Sequence, residues 1–220
     1  MRIVTHHYGA NTGWAPELPP PGAAAAPEGG ATVLMVFGAS AFLDDPAPLR
    51  ALRAAYPDAV ATGCSSAGEI LGDDIHDGGL VAAVLTFEQT RVRRVARGIA
   101  ELGDARALGR ALAEPLIGDD LQGIFVLSDG LAINGTQLMT GLQGLLPGVI
   151  ITGGLAGDDD RFQRTWVLNE AGEPESGTAC ALGFYGPRVH RVRLQRRLAH
   201  LRARAPHHPR GGQRGLRAGR

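Results

Sequence analysis

The 220-residue chain contains no lysine at all; its 22 basic residues are all arginine. It has only two cysteines, Cys64 and Cys180, which supply neither a disulfide framework nor the spacing of a zinc site. No apolar run approaches the ~20 residues that cross a bilayer, so no membrane association is expected. The N-terminus lacks the basic region and apolar run of a secretory signal, which makes a cytoplasmic location the expectation. Acidic residues are missing from 191–220, which carries ten arginines. Residues 1–190 hold the other twelve arginines against all 22 carboxylates, an excess of ten negative charges that the zero net charge conceals.

What is present reads as an α/β protein. Residues 1–30 open with a short strand, Arg2 to Val4, and then lose periodicity in prolines, alanines and glycines, as an extended lead-in would. The adjacent His6 and His7 point to opposite faces of any strand, which favours a structural role over metal binding. From Ala31 the pattern is regular. Thr32 to Phe37 is a continuous apolar run, expected of a strand buried on both faces. A helix over about Pro46–Tyr56 stops before Pro57, and Ala59-Val60-Ala61 leads into Thr62-Gly63-Cys64-Ser65-Ser66-Ala67-Gly68-Glu69. Two further strands follow over Leu80–Phe87 and Arg91–Val95, then a helix over Asp104–Leu116.

The series then restarts. A strand over Gly123–Leu127, a helix over Asn134–Leu146 and Val149-Ile150-Ile151 lead into a second glycine stretch, Thr152-Gly153-Gly154-Leu155-Ala156-Gly157-Asp158. A shift of 90 places lays Val36 on Val126, Pro57 on Pro147 and Gly63 on Gly153. Such an offset predicts two pseudo-equivalent β-α-β-β half-repeats, about 31–98 and 123–192, forming mixed sheets flanked by helices. The second half carries an extra hairpin that starts at Arg164 and turns through Asn169–Gly172. Residues 193–220 form an Arg-rich tail whose composition predicts disorder. A nucleic-acid partner is not expected, and a shifted reading frame explains such a tail as well.

The loops at the strand ends are where an α/β protein gathers polar groups around a ligand. The candidates are Cys64, Ser65, Ser66 and Glu69 from the first half, and Ser128, Asp129, Asn134, Thr136, Gly153, Gly154, Asp158 and Arg164 from the second. Carboxylates suit an ammonium, while arginine and backbone N–H suit a carboxylate, so a zwitterionic ligand fits the set. The competing reading is structural: the glycines keep a tight bend, and Asp129 and Asn134 cap a helix. Cys64 lacks a basic partner nearby in sequence, and Gly63-Cys64-Ser65-Ser66-Ala67 misses the last glycine of a nucleophile elbow. A cysteine or serine hydrolase is therefore a secondary alternative, and no catalytic or metal-binding residue is expected.

The stretch Thr62–Ile70 resembles the signature of the FIST sensory domain. So do Leu127-Ser128-Asp129-Gly130-Leu131-Ala132-Ile133-Asn134-Gly135, the second glycine stretch with Arg161-Phe162 and Arg164-Thr165, and Gly183-Phe184-Tyr185-Gly186. The resemblance covers roughly residues 1–190. It implies a small-molecule sensor that signals to a partner such as a histidine kinase or another output protein. Amino acids are the ligands it implies for some members, and haem with a nitric-oxide response for others. His76 and His190 are the candidate haem ligands. The family continues into a C-terminal FIST domain, in whose place this sequence has the arginine-rich segment.

Overall fold

The computed structural model describes residues 1–22 and 27–187. The tail, the strand expected from Arg188 to Val192, and His190 lie outside the described residues. Two sheets carry the fold. Strands β1 (Arg2–Gly9), β2 (Gly13–Ala15), β3 (Ala31–Gly38) and β4 (Val60–Ser65) belong to the first, with helix α1 (Ala47–Ala55) between β3 and β4. A separate two-stranded hairpin, β5 (Glu69–Leu71) and β6 (Asp74–His76), precedes β7 (Leu80–Phe87). Strand β8 (Arg91–Gly98), the single turn α2 (Ile99–Leu102), α3 (Ala105–Ala113), β9 (Leu121–Ser128), α4 (Gly135–Leu145) and β10 (Ile150–Leu155) follow. Among the described residues the last elements are the short β11 (Val167–Leu168) and β12 (Pro174–Glu175), then β13 (Thr178–Tyr185).

The first sheet runs β12-β11-β4-β3-β7-β1-β2 and the second β10-β9-β13-β8. Within both, the same pairing recurs. Strands β3 and β4 are parallel, as are β9 and β10, with Val33 opposite Val60 and Gly123 opposite Ile150. Antiparallel neighbours β7 and then β1 continue the first, as β13 and then β8 continue the second. The mixed sheets flanked by helices are thus those expected, but the frame of the halves is not. Arg91–Gly98 does not close the first half: it pairs along its whole length with β13. Its counterpart in the first sheet is β1, where Arg2 faces Thr86 as Arg91 faces Tyr185. Residues 2–9 are accordingly a full strand, not part of an extended lead-in. Only three of its residues read as strand in isolation, because His6, His7 and Tyr8 interrupt the apolar pattern. His6 is buried, its ring nitrogens 2.8 Å from the Tyr56 hydroxyl and 3.0 Å from the Pro16 carbonyl.

Alternation along the central strands sorts their side chains into layers. Leu34 and Val36 meet Leu49, Leu52 and Ala55 of α1, with Trp166 in the same cluster. Ile124 and Val126 meet Leu108 and Leu112 of α3 and Leu138 and Leu142 of α4. The opposite faces, through Phe37, Cys64, Phe125, Leu127, Val167 and Cys180, pack the sheets on each other between the two helical layers. Each fully buried leucine of this kind contributes about 1.5–3 kcal/mol. The helix boundaries follow their caps: Asp104 accepts from Ala107 N–H and Asn134 from Gln137 N–H.

Candidate functional site

The two glycine stretches meet. Gly157 N–H donates to the Ser65 carbonyl at 2.9 Å, and Ala156 N–H to the Ser128 carbonyl at 2.7 Å. A cavity of about 200 Å³ opens where they converge, lined by Ser66, Gly68 and Glu69 from the first loop and by Asp159 and Arg161 from beyond the second. Ala39 and Ala41 from the end of β3 and Asp77 before β7 complete it. The Ser66 hydroxyl donates to Glu69 Oε1 at 2.7 Å. Glu69 is 3% exposed, and its second carboxylate oxygen is buried with no hydrogen-bond partner. Burial raises the Glu69 pKa above the ordinary carboxylate value. Hydrogen bonds from the Ser66 hydroxyl and the Gly79 backbone and the nearby His76 oppose the rise, and the Asp77 charge adds to it. A carboxyl so placed takes up a positive charge readily, because a cation relieves what burial imposes.

The other candidates do different work. Cys64 lies in the layer between the sheets, and burial beside Cys180 pushes its thiol up to about 12, so it holds its proton. The buried Ser65 hydroxyl accepts from Trp166 N–H at 3.1 Å and anchors the β11–β12 hairpin to β4. Asp129 accepts from Leu131 N–H at 2.7 Å, Ala132 N–H at 2.8 Å and Gly177 N–H at 2.7 Å, a complete set of backbone partners. Exposed Asn134 caps α4, and Thr136 in its first turn is exposed too. Asp158 accepts from Gln163 N–H at 3.1 Å and Arg164 N–H at 3.0 Å. Burial opposes ionisation of Asp158, but the Ser40 hydroxyl, those two N–H groups and Arg161 hold its carboxyl below the usual range. Arg164 pairs with Asp44 on the surface. Asp158 and Arg164 are therefore ties between loops, and they do not line the cavity.

The glycines have a backbone reason. A Cβ on Gly63 would sit 2.2 Å from the Val36 carbonyl oxygen, and one on Gly153 would sit 1.7 Å from that of Val126. These are the same contacts at the same offset, in β4 against β3 and in β10 against β9. Both glycines lie inside strands and are kept by the close approach of the neighbouring backbone, not by the tight bend expected from the sequence. Gly153 and Gly154 border a different space, a groove of about 400 Å³ between β10 and α4 lined by Val126, Leu138, Met139, Ile151 and Leu155.

Arg161 and Asp77 were not among the residues singled out from the sequence. Asp77 precedes a glycine, Gly78, at φ +76°, a turn signal in the polar loop. Arg161 stands in the sequence only within the Arg161-Phe162 pair of the family resemblance, without a site role. A larger cavity of about 520 Å³ lies between α1, β4 and the β11–β12 turn, with Arg50, Arg53 and Arg94 around it. Those guanidiniums are largely taken up by the hairpin: Arg94 donates to the Leu168 and Asn169 carbonyls, with its buried Nε left without a partner, Arg53 to that of Gly172, and Arg50 to Glu173. It is a strap on the hairpin turn.

Among the described residues no group of three or more His, Cys, Asp and Glu side chains is placed to hold a metal ion, and no helix is long and apolar enough to cross a membrane. Comparison with curated proteins gives no match. The family comparison does: residues 32–199 match the FIST N domain. The chain belongs to the FIST family, whose domains are sensory, ligand-binding modules of signalling proteins.

Proposed function

We propose that this FIST N domain binds a small zwitterionic metabolite, of the size of an amino acid, in the cavity where its two glycine loops meet, and that it performs no chemistry on it. Glu69 takes the ammonium, with the Ser66 hydroxyl beside it. Arg161, exposed and paired through Nε with Asp158 at 3.2 Å, also lines the cavity and takes the carboxylate with its terminal N–H groups. The observation that carries this reading is the buried Glu69 with one unpartnered oxygen at a cavity built from both halves. A volume of about 200 Å³ lies below the roughly 300–1,000 Å³ of pockets for drug-sized ligands, which favours a metabolite of a few heavy atoms. Occupancy ties the first loop to Arg161 beyond the second, and that change is what an output partner such as a histidine kinase reads.

The same dimensions disfavour haem. The His76 ring lies 4.1 Å from that of His7, and the adjoining cavity is too small for a macrocycle. Against the cysteine form of the hydrolase alternative stands the buried Cys64 thiol, whose pKa is pushed up to about 12. The test is a thermal-shift series with amino acids, simple amines and simple carboxylates. A ligand that binds only the folded state stabilises it by about 2.7 kcal/mol at a hundred times its Kd. Zwitterions should raise Tm more than either half-ligand; no shift with any of the three classes rules the reading out.

A further inference from the structure

The two sheets differ at one edge. In the first, β4 is not exposed: hairpin β11–β12 lies against it, Val167 opposite Cys64, with Ser65 N–H donating to the Trp166 carbonyl at 2.9 Å. In the second, β10 occupies the place of β4 and nothing pairs with its outer side among the described residues. Ala156 N–H turns inward to Ser128, so strand alternation turns the N–H and C=O groups of Ile151, Gly153 and Leu155 outward. Ile150 is 53% and Leu155 56% exposed. No charge, proline or bulge guards this strand, the devices by which exposed edges avoid pairing.

A hairpin without an edge completes the comparison. β5–β6 follows β4 as β11–β12 follows β10, yet it pairs with no other strand. Ile70 and Ile75 stand directly opposite each other on it, 72% and 73% exposed, which is a costly way to leave two isoleucines in water. Within one chain it stays off β10. Eleven residues, 156–166, carry β11 across to the other sheet, whereas Ser66, Ala67 and Gly68 alone join β4 to β5. Three residues span at most ~10 Å.

We infer that the chain self-associates by strand addition: the β5–β6 hairpin of one copy lies antiparallel on the β10 edge of a second copy. Ile70 and Ile75 then fill the apolar groove of Val126, Leu138, Met139, Ile151 and Leu155. Main-chain hydrogen bonds to Ile151, Gly153 and Leu155 give affinity, and the isoleucine pair gives register. The interface joins two different surfaces, so donor and acceptor can be disabled separately.

The experiment is the solution mass of the full chain by light scattering, at several concentrations, for the unaltered protein and for Ile70→Glu and Leu155→Glu. Both side chains are exposed, so the variants should keep the circular dichroism and Tm of the unaltered protein. Ile75→Glu replaces Ile70→Glu if the latter does not. The unaltered chain should be a dimer or larger and each variant a monomer. An equimolar mixture of the two variants should recover the mass of two chains, since one intact hairpin meets one intact edge. A monomeric unaltered chain overturns the inference. So does an assembly lost with Leu155→Glu but kept with Ile70→Glu, which is the result for two β10 edges pairing with each other, and so does a mixture that stays monomeric.

Discussion

The first and second sheets use one pairing pattern and one glycine contact, but their following loops diverge. After β4 the chain has three residues, a buried Glu69 and a hairpin; after β10 it has eleven residues, a buried Asp158 and a hairpin that crosses to the other sheet. Both carboxylates are buried, and their environments push them in opposite directions. On Asp158 one oxygen accepts from Gln163 and Arg164 N–H and the other lies 3.2 Å from Arg161 Nε, and with the Ser40 hydroxyl these hold its pKa down against burial. On Glu69 burial leads and the Asp77 charge adds to it, so its pKa is raised despite hydrogen bonds from the Ser66 hydroxyl and the Gly79 backbone and the nearby His76, and one oxygen has no partner. The comparison teaches that the glycines shared at the 90-residue offset keep the strand contacts, while the two carboxylates differ because the loops that follow differ.

The largest expected effect breaks the likeness of the glycines. Gly63→Val puts a Cβ against the Val36 carbonyl in a strand flanked on both sides, and should cost over ~4 kcal/mol, enough to abolish folding. Gly153→Val meets the Val126 carbonyl more closely, at φ +150°, but in an edge strand that can detach. It should cost about 2–3 kcal/mol in urea unfolding. Equal losses would mean that β10 is as integral as β4. Next is Asp129→Ala, which strips three backbone N–H groups of their acceptor and should cost about 3 kcal/mol. Removal of the exposed cap by Asn134→Ala should cost about 1 kcal/mol.

Opposite linkage separates the two carboxylates. Glu69 has its pKa raised in the fold, so its stabilising contribution is full below the ordinary value of 4.5 and is lost as pH rises through the folded value. Asp158 has its pKa lowered, so its contribution is present above the ordinary 3.8 and is lost as pH falls through the folded value. Glu69→Gln should therefore flatten the stability curve on the side above pH 4.5, and Asp158→Asn the side below 3.8, both read by thermal melts across pH. The reverse assignment would dismantle the comparison. The smallest effect is expected for Arg164→Ala, whose half-buried side chain pairs with exposed Asp44: under ~1 kcal/mol.

Much of this architecture is legible in the residues. The apolar runs of β3 and β9, the caps Asp104 and Asn134, and the stops before Pro57 and Pro147 all follow from local chemistry. The frame of the halves does not, because Arg91–Gly98 follows β7 in the chain and yet is paired in the other sheet. Sequence order cannot reveal that exchange. β1 is hidden for a related reason: its His6 is buried through hydrogen bonds to Tyr56 and Pro16, fifty and ten residues away. At the site, a carboxylate in a glycine loop looks alike in both copies. What distinguishes Glu69 from Asp158 is the set of donors and charges the fold brings to each, and the sequence marks the stretch 161–165 only as a resemblance, not as the source of the Asp158 donors.

The most direct test of the central claim is calorimetric titration of the strongest zwitterion from the thermal-shift series into three proteins: unaltered, Glu69→Gln and Gly154→Ser. Gly154 borders only the β10 groove, and a Cβ there meets nothing within 4 Å, so this variant leaves the fold intact. The account predicts that Glu69→Gln loses binding at least tenfold while Gly154→Ser binds as the unaltered protein does. Binding that survives Glu69→Gln and fails in Gly154→Ser would place the ligand on the second sheet and contradict it.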